Sequence, residues 1–151
     1  ETLDESAKTV LARIESEMSD GVELVKFLRR RLKGIKRRFV HSIAAMVDDA
    51  FFDIIEAEHH SESLQKFDFD KRLGAAYDLR SYFVHSGRPF GNWIRPYINN
   101  AEVRSGQPIV PDRKMAKTLA VAPLFSGLER VMRYALLTFA SKLGADVEVV
   151  S

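Results

Sequence analysis

The chain has 151 residues, of which 46% are hydrophobic and 29% are charged, values ordinary for a globular domain that buries a core. It contains no cysteine, which excludes disulfides, thiolate catalysis and cysteine zinc sites and fits a reducing cytoplasm. No apolar run approaches the length of a membrane span, so no membrane partner is expected. We expect a single domain over residues 1–151, and the start at Glu1 rather than methionine favours a piece of a longer protein.

The net charge is only +2, but the charges are arranged in blocks. Residues 1–25 carry seven acids against two bases, and residues 26–45 carry eight bases and no acid. Residues 46–70 then carry eight acids against one base, and residues 71–117 carry nine bases against three acids. The two basic zones are the expected places for a nucleic acid backbone.

The densest basic segment, from Arg29 to Arg38, holds seven positive charges in ten residues. Such density is typical of a surface that contacts phosphates with affinity but little sequence preference. The alternative is a solvated helical face balanced by the acids of residues 46–70. Under the first interpretation the candidate RNA-binding residues are Arg30, Arg31, Lys33 and Arg37.

Hydrophobic periodicity predicts helices in the first half of the chain. Apolar residues over 3–18 recur at steps of three and four and predict a helix that ends near Gly21. A second stripe with the same steps covers 25–54. It indicates either one long helix or two, and typical helix lengths favour a break near Gly34.

The second half is predicted to hold a helix over about 68–86, stopped by Gly87, and a long loop over 87–112 that contains four of the five prolines. The helical pattern resumes at 115–120 and again after Pro123, and residues 147–150 could extend as a tail. The final helix stops at Gly144 and carries one apolar stripe: Phe125, Leu128, Met132, Leu136, Phe139 and Leu143. The predicted fold class is all-α, an up-and-down helical bundle with a long Pro/Gly-containing loop before the last helices.

The segment from Arg80 to His85, near the end of the 68–86 helix, is the strongest candidate for chemistry. A guanidinium can hold a phosphate and stabilise the charge that develops on it, and an imidazole can transfer a proton near neutral pH. The two side chains project about 140° apart around the helix. One site therefore needs either the reach of the long Arg80 side chain or a second copy of the domain. The alternative is a surface arginine paired with Asp78 and a histidine satisfied at a helix end.

This segment has an Arg, a polar residue directly after it and a His five positions after the Arg, late in a helix of an all-α domain. The motif resembles that of the HEPN family. Residues 77–87 are most similar to its ApeA-like branch, and residues 128–136 are similar to the final helix of that branch. The resemblance implies a homodimer with two Arg/His sets in a cleft at the interface. It also implies a metal-independent endoribonuclease of the toxin or phage-defence type, with Arg80 and His85 catalytic and no cofactor.

The resemblance also implies supporting residues. Ser81 would bind phosphate or orient Arg80, and Arg133 would either pair with an acid of the bundle or face the cleft; Asp78 is the acid closest to Arg80 in sequence. The subgroup that pairs with a nucleotidyltransferase antitoxin has a Tyr where this chain has Gly87, so that pairing is not expected. An antitoxin or a fused regulatory domain stays open as a partner.

The long loop interleaves cations with aromatic side chains, a mixture that lets bases stack while cations hold the backbone. Arg88 and Arg95 are the predicted RNA contacts, whereas Trp93 and Tyr97 are expected to dock the loop onto the bundle. Glu56 and His60 have the spacing of a metal-binding pair on a helix, but a solvated helix end is the favoured interpretation. No metal is expected.

Two other classes of function compete with the nuclease. One is a non-catalytic HEPN module that binds a nucleotide or RNA, or only dimerises, within a larger regulatory protein. The other is a helical adaptor that uses the basic segment to bind nucleic acid or an acidic partner.

Overall fold

The computed structural model describes residues 5–87, 89–95 and 100–146. The prediction of an all-α chain is confirmed: over these residues the structure holds helices and no strand. Arg88, Tyr97 and the predicted tail at 147–150 lie outside the described residues. The elements, in chain order, are α1 Glu5–Glu17, α2 Gly21–Ala44, α3 Asp49–Asp53, two 3-10 turns at His60–Glu62 and Lys66–Asp68, α4 Phe69–Ser86, α5 Gly91–Ile94, α6 Arg113–Val121 and α7 Phe125–Lys142.

The described residues up to 39 and those from 40 onward form two compact units. In the first unit, Leu11 and Val25 are buried where α1 turns into α2. The turn needs Gly21, since a Cβ there would lie 2.1 Å from the carbonyl oxygen of Ile14. This unit therefore begins as a tight helical hairpin, with the basic segment farther along α2.

The predicted break near Gly34 is wrong, because α2 continues through this residue to Ala44. One glycine inside a helix costs only about 1 kcal/mol relative to alanine, which is too little to end it. The break falls instead before Asp48, whose carboxylate accepts a hydrogen bond of 3.1 Å from the Ala50 amide and caps α3.

The second unit has two buried apolar clusters, and α4 contributes to both. The first contains Phe51, Leu64, Phe69, Leu73, Val103 and Val131, with Tyr134 packed edge-on against Phe51 at 5.3 Å between ring centroids. The second contains Ala75, Leu79, Leu119 and Ala122, with Phe90 and Ile94 of the long loop packed on it. Helix α4 is thus held by both halves of this core.

Helices α4 and α6 run antiparallel. Near the start of α4, Arg72 donates to the Val121 carbonyl at the end of α6 over 3.1 Å. Near the end of α4, the Tyr82 hydroxyl donates to Asp112 at the start of α6 over 3.3 Å. These two contacts fix which end of α6 lies beside the Arg80–His85 segment.

An apolar stripe normally marks the buried side of a helix, but most of the stripe predicted for α7 is exposed. The buried side chains of α7 are on another face, at Arg130, Val131 and Ala135, and Gly127 is buried there too. Of the predicted stripe only Leu128 is partly buried, and the other five members are exposed. Over the described residues, no helix combines the length and apolarity needed to cross a membrane.

Candidate active site at the end of helix α4

The end of α4 is fixed by a left-handed cap. Gly87 has φ of 66°, and its amide donates to the Phe83 carbonyl over 2.8 Å. This confirms the predicted stop, which depends on glycine because side chains disfavour positive φ. The cap places His85 in the last turn of α4, where its side chain is exposed.

The candidate side chains divide between two sides of α4. Asp78, Ser81, Tyr82 and His85 follow one another at steps of three, one and three residues and so share one side. Ser81 and Asp78 are half-buried there, whereas Arg80 is exposed on a different side of the helix. Helix geometry within one copy therefore groups His85 with Ser81 and does not group it with Arg80.

The structure adds the start of α6 to the His85 side, which the sequence did not indicate. Asp112 caps α6 by accepting from the amides of Lys114 and Met115 at 2.8 and 3.1 Å, and its second oxygen accepts from Tyr82. Arg113 and Lys114, the next two residues in the sequence, have exposed cationic side chains. A Pro-Asp pair before a helical pattern signals a cap, but only the fold shows that this cap contacts α4.

The last turn of α4 also exposes apolar side chains. Phe83 and Val84 are each about half exposed, and Phe83 meets the ring of Phe90 edge-on at 6.0 Å between centroids. In the loop, Phe90 and Ile94 pack on the second core cluster, while Trp93 stays partly exposed and Arg95 exposed. Phe90 and Ile94 therefore anchor the loop to this core, and the docking predicted for Trp93 stays a prediction.

Arg133 adopts the first of its two predicted alternatives, since it forms an ion pair with Glu56 in which both side chains are about half exposed. Glu56 and His60 do not share a helix, because α3 ends at Asp53 and residues 54–59 are not helical. The helix end predicted for this segment is therefore wrong. Over the described residues, no group of three or more His, Asp or Glu side chains could hold a metal ion.

Arg130 and Glu102 form a buried ion pair in the second unit. Arg130 also donates to the carbonyls of Phe51 and Ile54, and its guanidinium lies 3.9 Å from the Phe51 ring centroid. The other Glu102 oxygen accepts from the Leu64 amide over 2.7 Å. Sequence reasoning assigned no role to either residue, since an acid in a loop and an arginine in a helix are ordinarily exposed.

The basic segment lies on α2, in the first unit. Arg30, Arg31 and Arg37 are exposed, as a phosphate-binding surface requires, and the Arg31 guanidinium lies 5.3 Å from the Phe27 ring centroid. The side chain of Lys33 is outside the described part of the chain. Arg30 and Arg37 are seven residues apart and so share one side of the helix.

Comparisons with protein-family models, with curated proteins and with solved structures find no match to this chain.

Proposed function

We propose that the protein is a metal-independent endoribonuclease that acts as a homodimer and uses Arg80 and His85. The observation that carries the proposal is the exposed His85 at a capped helix end, with Ser81 on the same side and the cationic start of α6 beside it. Proton transfer and phosphate binding are thereby available on one open surface.

In the proposed reaction, His85 takes the proton of a ribose 2′-hydroxyl and the 2′-oxygen attacks the adjacent phosphorus. The bond from phosphorus to the 5′-oxygen breaks, and a protonated imidazole returns a proton to that oxygen. Arg80 stabilises the extra negative charge on the phosphoryl oxygens in the transition state. The products are a 2′,3′-cyclic phosphate and a 5′-hydroxyl.

The separation of Arg80 from His85 around α4 favours a site completed by a second copy. Phe83 and Val84, which are exposed in the last turn of α4, support an interface that includes this helix. Phe83→Glu is expected to reduce cleavage by weakening this contact. Unchanged cleavage in this variant would contradict a role for the end of α4 in pairing.

The central experiment incubates a mixed RNA pool with the wild type, Arg80→Ala, His85→Ala and the control Lys71→Ala, which removes an exposed cation from the same helix. We expect each motif variant to lose on the order of 10²-fold or more in rate, with the control unchanged. Chelator is expected to have no effect, because the two side chains supply both proton transfer and charge stabilisation. Circular dichroism checks the fold of every variant.

Wild-type protein that leaves all RNA uncut, with and without divalent ions, would overturn the nuclease proposal. The second candidate, a non-catalytic HEPN module that binds RNA, is favoured by the placement of Arg80 and His85 on different sides of α4. It predicts binding without cleavage. A nuclease of this kind fits a cytoplasmic toxin or phage-defence protein, restrained by an antitoxin or a fused regulatory domain, and relief of toxicity by His85→Ala tests that role.

A further inference from the structure

Helix α7 exposes a continuous apolar stripe on its outer side. Phe125, Met132, Leu136, Phe139 and the C-cap residue Leu143 are between 46% and 72% exposed. Single exposed apolar residues are normal on a protein surface, whereas apolar residues that form one contiguous patch often mark an interaction site. This stripe is therefore a candidate contact surface for a partner.

The spacing of the stripe is that of a helix pairing seam. From Phe125 the positions follow at alternating steps of four and three residues, with Glu129 as the second position and Leu143 as the last. Their directions fall within about 80° of one another around α7. The buried residues Gly127, Arg130 and Val131 lie on the other side of the helix. Alternation of three and four is the pattern of two helices that pack side by side.

We propose that the homodimer of the proposed function pairs the α7 stripe of one copy with the same stripe of the other, in antiparallel orientation. The inference rests on that homodimer and adds α7 to the interface that includes the end of α4. In that arrangement Phe125 packs against the partner's Leu143, and Met132 packs against the partner's Leu136. The residue pairs at the middle of the seam are then entirely apolar, and by symmetry each residue pair occurs twice. A surface that complements itself in this way is what a two-fold dimer needs.

The exposed area is sufficient for a stable pair. Large apolar and aromatic side chains have surfaces of about 150–250 Å² each, so the exposed fractions add up to roughly 500 Å² in one copy. Two copies together then bury about 1,000 Å², which reaches the lower limit for a specific protein interface. A second copy of the chain can therefore cover the stripe.

The charge of Glu129 selects the antiparallel orientation. In a parallel pair the two Glu129 side chains would meet in the same layer of the seam, where like charges are destabilising. In the antiparallel pair, Glu129 lies opposite the partner's Phe139, and the two carboxylates are about 15 Å apart along the helices. Only the antiparallel pair keeps the apolar contacts without this repulsion.

Sedimentation of the 151-residue chain at tens of micromolar tests the pairing without RNA. A dimer that persists in Leu136→Glu would overturn the α7 pairing alone and leave the homodimer standing, whereas RNA cleavage by the wild type tests the nuclease separately. We expect a wild-type dimer, and a monomer for Leu136→Glu with unchanged circular dichroism. Ile109→Glu is the matched control, because Ile109 is a fully exposed apolar residue outside α7 and its replacement should leave the dimer intact. A monomeric wild type, or a dimer that persists in a folded Leu136→Glu variant, would overturn the proposal.

Crosslinking tests the orientation and stays informative if Leu136→Glu does not fold. The chain has no cysteine, so a Phe125→Cys chain and a Leu143→Cys chain each carry one thiol. After mixing and mild oxidation, we expect disulfides between the two kinds of chain, because equal positions lie about 27 Å apart in the antiparallel pair. Disulfides that form only between identical chains, or none at all, would contradict this orientation.

Discussion

Arg130 and Glu102 form an ion pair that is almost completely buried, with 5% and 1% of their side chains exposed. The pair joins α7 to the loop before α6, and through the Phe51 and Ile54 carbonyls Arg130 also joins α7 to α3 and the residue after it. A charge in a protein interior is tolerated only when its hydrogen-bonding groups have partners, and here both oxygens of Glu102 accept hydrogen bonds. The pair is therefore a structural centre of the second unit.

Removal of one member of this pair should be strongly destabilising, since the other charge stays buried without compensation. We expect Arg130→Met to lower the free energy of unfolding in urea by about 3–5 kcal/mol. Arg133→Met is the matched control on the same helix, because its pair with Glu56 is half exposed and should contribute about 1 kcal/mol or less. Equal losses in the two variants would contradict the assignment.

Gly127 should tolerate no side chain, because a Cβ at this position would lie 2.7 Å from the Glu102 carbonyl oxygen. That oxygen accepts a 2.8 Å hydrogen bond from the Leu124 amide, so it cannot move freely. Gly127→Ala is expected to destabilise the fold by about 1–3 kcal/mol in urea unfolding, despite alanine's better helix propensity. Gly91→Ala, where a Cβ meets nothing within 4 Å, should leave stability nearly unchanged.

Tyr134 should lose its hydroxyl proton at a higher pH than an ordinary tyrosine. Its hydroxyl donates to the Asp48 carboxylate over 2.5 Å, and this hydrogen bond, with burial and the Asp48 charge, raises the pKa of Tyr134 from 10.0 to about 12. The folded state therefore favours the neutral phenol, and this contribution to stability is complete below about pH 10 and is lost as the pH rises towards 12. Ultraviolet titration of the folded wild type should show one tyrosine that ionises at higher pH than the others, and Tyr134→Phe should remove this step. A wild-type titration without this step would refute the raised pKa of Tyr134.

The basic segment of α2 should supply affinity without sequence readout. We expect RNA binding to weaken steeply with salt, and charge reversal of Arg30, Arg31 and Arg37 to weaken it further without moving any cleavage position. Reversal of Lys71, an exposed cation of α4, is the control. Binding that is insensitive to salt, or unchanged by the triple reversal, would contradict this role.

Arg113 should contact the RNA backbone beside His85, because the Tyr82 contact to Asp112 holds the start of α6 against the motif side of α4. Arg113→Ala is expected to raise the dissociation constant for RNA and to reduce the slope of log affinity against log salt by about one. Arg13→Ala, which removes an exposed arginine of α1, should change neither quantity. An unaltered slope in Arg113→Ala would place the RNA elsewhere.

The sequence by itself determined where several of the helices lie and where α4 ends. Steps of three and four residues predicted α1, α4 and α7, because this period is set by the backbone geometry of a helix. The stop at Gly87 was predictable because the left-handed conformation is nearly specific to glycine. The break at Gly34 was not, because a helix tolerates one glycine when its neighbours keep their hydrogen bonds.

Only the tertiary structure decided what each helix faces. Periodicity shows that α7 has an apolar side, but burial depends on what the rest of the chain places against it, and here Arg130 and Val131 turn inward while Leu136 stays exposed. The same holds for the candidate site. The sequence indicated Arg80 and His85, but only the fold shows that Asp112 contacts α4, through a hydrogen bond from Tyr82, which is 30 positions away in sequence. Local pattern determines elements because helix hydrogen bonds span four residues, and the packing of elements depends on distant residues that no local pattern records.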